Sequence, residues 1–242
     1  MPDSSQQGTI GRLYVIGVGP GDPELMTIKA GRLLRQLPVV FVPQRDESSP
    51  SYTRGIITGL DREPEPEIIG LFFPMVRDIK KLTACWERAT ETIWQYLKQG
   101  RDCAFVNEGD PFLYGTAVHI LETIQATHPE IEITVVPGVS SINASAAQAM
   151  VPLAINDEGI AILSGHCQDS FIEEVLEKFD TIIFLKVNSV FERLLDTLER
   201  LKLTEKCVYI SKGTTKDEKI VRDIRQLKGQ KLNYLSLLIV RK

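Results

Sequence analysis

Short apolar runs rich in β-branched residues alternate with longer stretches of helical period along nearly the whole chain, and this alternation constrains the fold most. Residues 13–18, 39–42, 68–73, 103–106, 131–136, 160–163, 181–185, 207–210 and 233–240 read as strands. The last of these is apolar enough to be a buried strand that pins the end of the chain into its sheet. Between the strands, Thr27 can cap a helix whose Ile28, Leu33, Leu34 and Leu37 share one side until Pro38 stops it. Residues 79–98 carry Leu82, Trp86, Ala89, Ile93 and Leu97 at steps of three and four. Further helical patterns cover 114–126, 141–149, 170–178 and 190–201, the last with Phe191, Leu194, Leu195, Leu198 and Leu201 inside. Residues 45–51 and 61–67 read as exposed connections. These patterns predict an α/β protein with largely parallel strands. The pattern restarts near His128, which predicts two α/β domains, 1–127 with residues 1–10 as a loose tail, and 128–242.

Composition narrows the function. The chain has 28 Lys and Arg against 32 Asp and Glu, a net charge of −4, so it lacks the cationic footprint that nucleic-acid backbones require. No apolar run approaches the roughly 20 residues of a membrane-spanning helix. Cys85, Cys103, Cys167 and Cys207 are scattered without a CxxC pair, which removes zinc-ribbon and redox readings and fits a reducing cytoplasm. His119 and His128 have no second ligand at metal-binding spacing, so both read as structural and no metal is expected.

Three strand-to-helix turns could carry chemistry. The first is Gly17-Val18-Gly19-Pro20-Gly21-Asp22-Pro23. It is not a dinucleotide fingerprint, because Asp22 stands where the third glycine of G-x-G-x-x-G belongs, and no Walker-type loop occurs elsewhere. A ligand-facing turn and a plain tight turn both fit it. The second is Glu108-Gly109-Asp110-Pro111-Phe112-Leu113-Tyr114-Gly115, at the carboxyl end of a strand, where open α/β sheets place ligands. Its two acids suit general acid/base work, and Asp110 equally suits binding its own backbone and capping the next helix. The third is Val136-Pro137-Gly138-Val139-Ser140-Ser141, followed by the small residues Asn143-Ala144-Ser145-Ala146-Ala147, where something must pack closely. Ser140 and Ser141 can bond a ligand or cap that helix. The absence of G-x-S-x-G and of any motif around His166 argues against a serine nucleophile.

Taken in order and at their spacing, the three turns resemble the tetrapyrrole methylase family, and the resemblance runs from Arg12 to Val240. Asn107-Glu108-Gly109-Asp110, Phe184-Leu185-Lys186-Val187 and Tyr234-Leu235-Ser236-Leu237-Leu238 are similar to the branch that methylates precorrin-2 at carbon 20 in cobalamin biosynthesis. The resemblance implies two α/β domains with S-adenosylmethionine folded into the cleft between them, a homodimer, and no metal held by the protein. Carried over by motif, Pro20 lines the cleft, and Glu108, Gly109, Asp110 and Leu113 contact the cofactor. Ser140 and Ser141 meet its methionine or ribose end, and Lys186 and Gly213 match further cofactor positions. Asp110 and Tyr114 are the candidates for the reacting centre, Asp110 to steady positive charge or to remove a proton from the methylated carbon. A substrate ringed by carboxylates needs cations and backbone amides, which makes Arg45 and Arg54 candidate substrate contacts, and the resemblance adds Gly19 and Asp22 of the first turn. The plainer reading of Arg45 and Arg54 is solvated loop charge. The cobalt-loaded ring, another tetrapyrrole methylase reaction, and a non-catalytic tetrapyrrole or adenosyl-ligand binding module are the alternatives.

Overall fold

The computed structural model describes residues 9–45, 51–61, 63–74, 76 and 78–242. Most of the expected tail and positions 46–50 of the polar connection lie outside the described residues.

The first compact unit runs to Ser140. It contains β1 (Leu13–Gly17), α1 (Ile28–Gln36), β2 (Val39–Gln44), α2 (Tyr52–Ile57), β3 (Glu67–Phe72), α3 (Ile79–Leu97), β4 (Cys103–Asn107), α4 (Ala117–Thr127) and β5 (Ile133–Val136). The strands form one sheet in the order β3-β2-β4-β1-β5, with every neighbouring pair parallel. Alternate residues feed opposite faces, as strand geometry requires. Leu13, Val15, Phe41 and Phe105 pack with Ile93, Leu97, Ile120 and Ile124 of α3 and α4. Ile16, Val40, Val42 and Val106 pack with Leu33, Leu34, Ile56 and Ile57 of α1 and α2. Burial on both faces explains why these strands read as continuous apolar runs.

Local chemistry sets the helix starts. The Thr27 hydroxyl accepts the Ala30 N–H at 3.2 Å, and Asp78 accepts from Lys80 and Lys81. Trp86 stacks on His119 with ring centroids 4.1 Å apart, and Trp94 stacks on His128 at 4.4 Å. Both histidines therefore sit in the α3–α4 packing. Two expectations fail locally. Ile28 is 91% exposed, because a residue at the first helical position lies beside the capping turn, off the core stripe. Tyr114 lies outside α4, held at φ 55° in the preceding loop. Directly after the polar connection, which ends at Ser51, comes the short helix α2, unlocated from the sequence, which Ser51 caps through the Arg54 N–H.

The second unit starts at Ser141. It contains α5 (Ser141–Gln148), β6 (Ile160–Ser164), α6 (Asp169–Lys178), β7 (Thr181–Leu185), α7 (Phe191–Arg200), β8 (Cys207–Ser211), β9 (Lys219–Val221) and β10 (Ser236–Arg241). Its sheet order is β6-β7-β10-β8-β9. Only β6 and β7 run parallel; β10 is antiparallel to both β7 and β8, and β9 is antiparallel to β8. The expectation of largely parallel strands thus holds for the first sheet and fails for the second. An apolar strand buried on both faces carries no mark of its direction, so β10 looked like its neighbours. Leu238 and Val240 enter a core with Ile182, Phe184, Leu194 and Leu198. Leu201, expected on that inner face, is 37% exposed just past the end of α7.

The division of the chain also falls later than residues 127 and 128. Strand β5 registers on β1, from Leu13 opposite Ile133 to Ile16 opposite Val136, so it closes the first sheet rather than opening the second. Burial pushes the Cys103 and Cys207 thiols up from the usual 9.0 to about 12, which suits inert packing groups. Among the described residues, no helix is long and apolar enough to cross a membrane.

Candidate active site

In the first unit β4, β1 and β5 are adjacent, so the turns that leave their carboxyl ends meet. The Val18 N–H donates to the Asn107 carbonyl at 3.0 Å, and the Gly109 N–H donates to the Gly19 carbonyl at 2.8 Å. The third turn lies against both. A Cβ on Gly138 would fall 2.9 Å from the Gly17 Cα and closer still to the Gly109 carbonyl oxygen. A Cβ on Gly17 would fall 2.6 Å from that same oxygen. The three turns are therefore in direct backbone contact, which only residues without a Cβ allow.

Two polar side chains, Asn107 buried and Asp110 half-buried, hold this cluster together. Asn107 is 5% exposed, and its amide donates to the carbonyls of Glu108 at 2.6 Å and Asp110 at 3.2 Å. Asp110 accepts twice: Oδ1 takes the Phe112 N–H at 2.9 Å, and Oδ2 takes the Gly138 N–H at 3.1 Å. The first bond is an Asx-turn; the second crosses to another loop. Asp110 does not cap α4, whose N-cap Thr116 makes no side-chain capping bond. Phe112 and Tyr114 point outward, 61% and 48% exposed, and Leu113 is half-buried between them.

On the glycine turn, Asp22 caps the short 3-10 turn Pro23–Leu25 through the Glu24 N–H at 2.9 Å. Pro20 is buried, and its carbonyl accepts the Tyr52 hydroxyl at 3.0 Å. Burial, and after it the negative charge of Glu108, pushes that hydroxyl up from its usual 10.0 to about 12, so it stays a donor. Tyr52 was missed from the sequence. Its only signal is an aromatic residue directly after the Ser51 cap in an otherwise polar stretch. The structure thus brings Gly19, Pro20, Glu108, Gly109 and Asp110 into one cluster. Arg54 is exposed on α2, two residues from Tyr52, and makes no ion pair among the described residues. Arg45 is exposed directly after β2. Ser140 is half-buried beyond Gly138.

In the second unit the remaining candidates lie at helix and strand ends. Ser141 opens α5. Lys186 follows β7 in a left-handed conformation, φ 57° and ψ 43°. Lys212 and Thr214 also have positive φ, 48° and 69°, on either side of Gly213 at the end of β8. A Cβ on Gly213 would fall 2.5 Å from the Ser145 Oγ, the close approach that the small residues of α5 predicted. Such backbone costs of order 1–3 kcal/mol per residue and gathers at functional sites. Among the described residues no three His, Cys, Asp or Glu side chains are placed to hold a metal ion.

The chain is 33% identical over 235 residues to the probable cobalt-precorrin-2 C(20)-methyltransferase of Methanocaldococcus jannaschii, covering 96% of each chain. It is 29% identical over 233 residues to cobalt-precorrin-2 C(20)-methyltransferase of Salmonella typhimurium, covering 96% and 97%. To precorrin-2 C(20)-methyltransferase of a Sinorhizobium species it is 26% identical over 239 residues, covering 96% and 95%. Among solved structures, cobalt precorrin-4 methyltransferase CbiF superposes with a TM-score of 0.73 at 23% identity, over 95% and 94% of the two chains. Uroporphyrin-III C-methyltransferase from Thermus thermophilus, complexed with S-adenosyl homocysteine, gives 0.66 at 21% identity over 96% and 98%. The family model for Tetrapyrrole (Corrin/Porphyrin) Methylases matches residues 12–227, and the chain belongs to that family.

Proposed function

We propose that this methylase transfers a methyl group from S-adenosylmethionine to carbon 20 of the precorrin-2 ring in cobalamin biosynthesis. The observation that carries the reading is the end-to-end match to three relatives that all bear the C(20)-methyltransferase name. The loop cluster of the first unit fits the cofactor. It lies at the carboxyl ends of parallel strands, where open α/β sheets place ligands, and Glu108 adds a carboxylate for hydroxyl or amine groups.

S-adenosylmethionine, when bound, supplies the methyl group on an electrophilic sulfonium. The task of the chain is to hold donor and acceptor atoms near 3 to 3.5 Å and aligned, an effect worth roughly 7 to 11 kcal/mol in favourable cases. Pro20, Glu108, Gly109, Asp110, Leu113 and Ser140 of the first unit do the holding. Ser141, Lys186 and Gly213 of the second add contacts in which backbone carries much of the recognition. Rigid strand ends suit that work better than mobile side chains do. For the acceptor, Gly19 and Asp22 supply the surface of the glycine turn, Arg45 and Arg54 meet peripheral carboxylates, and Tyr114 flanks the ring. The enzyme works as a homodimer in the cytoplasm and needs no metal of its own.

The test is mass spectrometry of the tetrapyrrole after anaerobic incubation with S-adenosylmethionine and either precorrin-2 or its cobalt-loaded form. Two of the relatives carry the cobalt-bearing name and one the metal-free name, so both rings are offered. A gain of one methyl group at carbon 20 is expected. No gain on either ring, with S-adenosylmethionine still bound, overturns the acceptor assignment and turns the search to another tetrapyrrole.

A further inference from the structure

We infer that Asp110 is a positioning residue that ties the second turn to the third and thereby sets cofactor affinity, and that it is not the proton acceptor of the reaction. This rests on the function proposed above. A proton acceptor must aim a lone pair at the methylated carbon. Both Asp110 oxygens are engaged by backbone, Oδ1 by the Phe112 N–H (2.9 Å) and Oδ2 by the Gly138 N–H (3.1 Å), so the carboxylate is held in the orientation that joins the two loops.

The tie also lies where displacement matters most. Gly138 packs on Gly17 and Gly109 with no room for a Cβ, and Asn107 fixes the Asp110 carbonyl from below at 3.2 Å. Releasing Oδ2 therefore frees the third turn, with Ser140, from the second turn, with Glu108, Gly109 and Leu113. The fault should appear in cofactor binding before it appears in chemistry.

Asp110→Asn tests this, because an isosteric amide offers one acceptor and one donor, and one of the two backbone amides loses its partner whichever way the group turns. The expected result is an S-adenosylmethionine Kd raised about tenfold by calorimetry, a typical effect for an orphaned amide. The cofactor KM follows it, kcat at saturating cofactor falls by less than about threefold, and the pH–rate profile keeps both limbs. Asp110→Ser keeps only the local bond to Phe112 and should weaken binding equally; it decides the matter if the Asn variant does not fold. A drop in kcat beyond about a hundredfold at saturating cofactor, with Kd unchanged and one limb of the profile lost, overturns the inference and makes Asp110 the proton acceptor. Unchanged Kd and unchanged kcat overturn it as well. Failure of the wild-type protein to bind S-adenosylmethionine would instead count against the proposed function.

Discussion

Each end of the first sheet has a close backbone approach, Gly11 on the Arg101 carbonyl at the amino end and Gly138 on the Gly109 carbonyl at the carboxyl end, but the side chains act there in different ways. At the amino end, long charged side chains reach across exposed surface: Arg12 to Glu132 at 2.6 Å, and Arg101 to Glu67 at 2.8 Å. The Tyr96 hydroxyl joins Glu67 at 2.7 Å, and the Arg101 guanidinium lies over the Tyr96 ring at 4.9 Å. At the carboxyl end, backbone touches backbone, and the side chains that help, Asn107, Asp110 and Tyr52, donate to or accept from main-chain groups. Long side chains can be replaced by water at small cost. Backbone contact leaves nothing to replace. Among side chains, sensitivity to substitution should therefore concentrate at the carboxyl end, where three turns meet and the candidate site lies.

The largest effect is expected at Gly138. In Gly138→Ala the new methyl would press on the Gly109 carbonyl oxygen, a backbone atom that cannot swing aside. Overpacking of this kind costs about 1–3 kcal/mol, and here the strain falls on the cofactor cradle. Thermal melts with and without S-adenosylmethionine should show a Tm several degrees lower and little stabilisation by the cofactor. Wild-type melting in both conditions would break the comparison at its strongest point.

Tyr52→Phe comes next. It leaves the Pro20 carbonyl buried without its donor, at a cost of about 1–3 kcal/mol. Cofactor Kd should rise about three- to tenfold by calorimetry, with a smaller fall in Tm. A pH series sharpens the assignment. The folded-state pKa of Tyr52 is raised, so its contribution is complete below the usual 10.0 and is lost as pH rises through about 12. The wild type should lose stability across that window, and the Phe variant should lack this part of the loss.

The first sheet was legible because parallel strands buried on both faces announce themselves as β-branched runs, and Thr27 and Pro38 mark the limits of α1. The second sheet was less so. Its strands were located, yet the antiparallel entry of β10 between β7 and β8 depends on long-range pairing that no local pattern encodes. The same holds within the site. The glycines of the three turns stood out in sequence, while the bond from Asp110 to Gly138 spans 28 residues and became visible only when β4, β1 and β5 were set side by side. The helix α2 escaped because six residues carry too little periodicity to separate from a polar loop.

The smallest effect belongs at the amino end, and it is the control for the rest. In the pair of Arg101 with Glu67 the side chains are 34% and 46% exposed, a setting in which ion pairs add little stability and are screened by salt. Tyr96 first and Arg101 second hold the Glu67 carboxyl below its usual range, so the contribution of Glu67 is present at neutral pH and is lost as pH falls through that lowered value. Arg101→Ala removes the ion pair and the ring contact but leaves the Tyr96 hydroxyl on Glu67. The Tm at neutral pH should move by less than about 3 °C, and cofactor Kd by less than about twofold. A loss as large as that of Gly138→Ala would mean that the amino-end charges set the register of the sheet, and that the turns at its other end are rigid only because this end is.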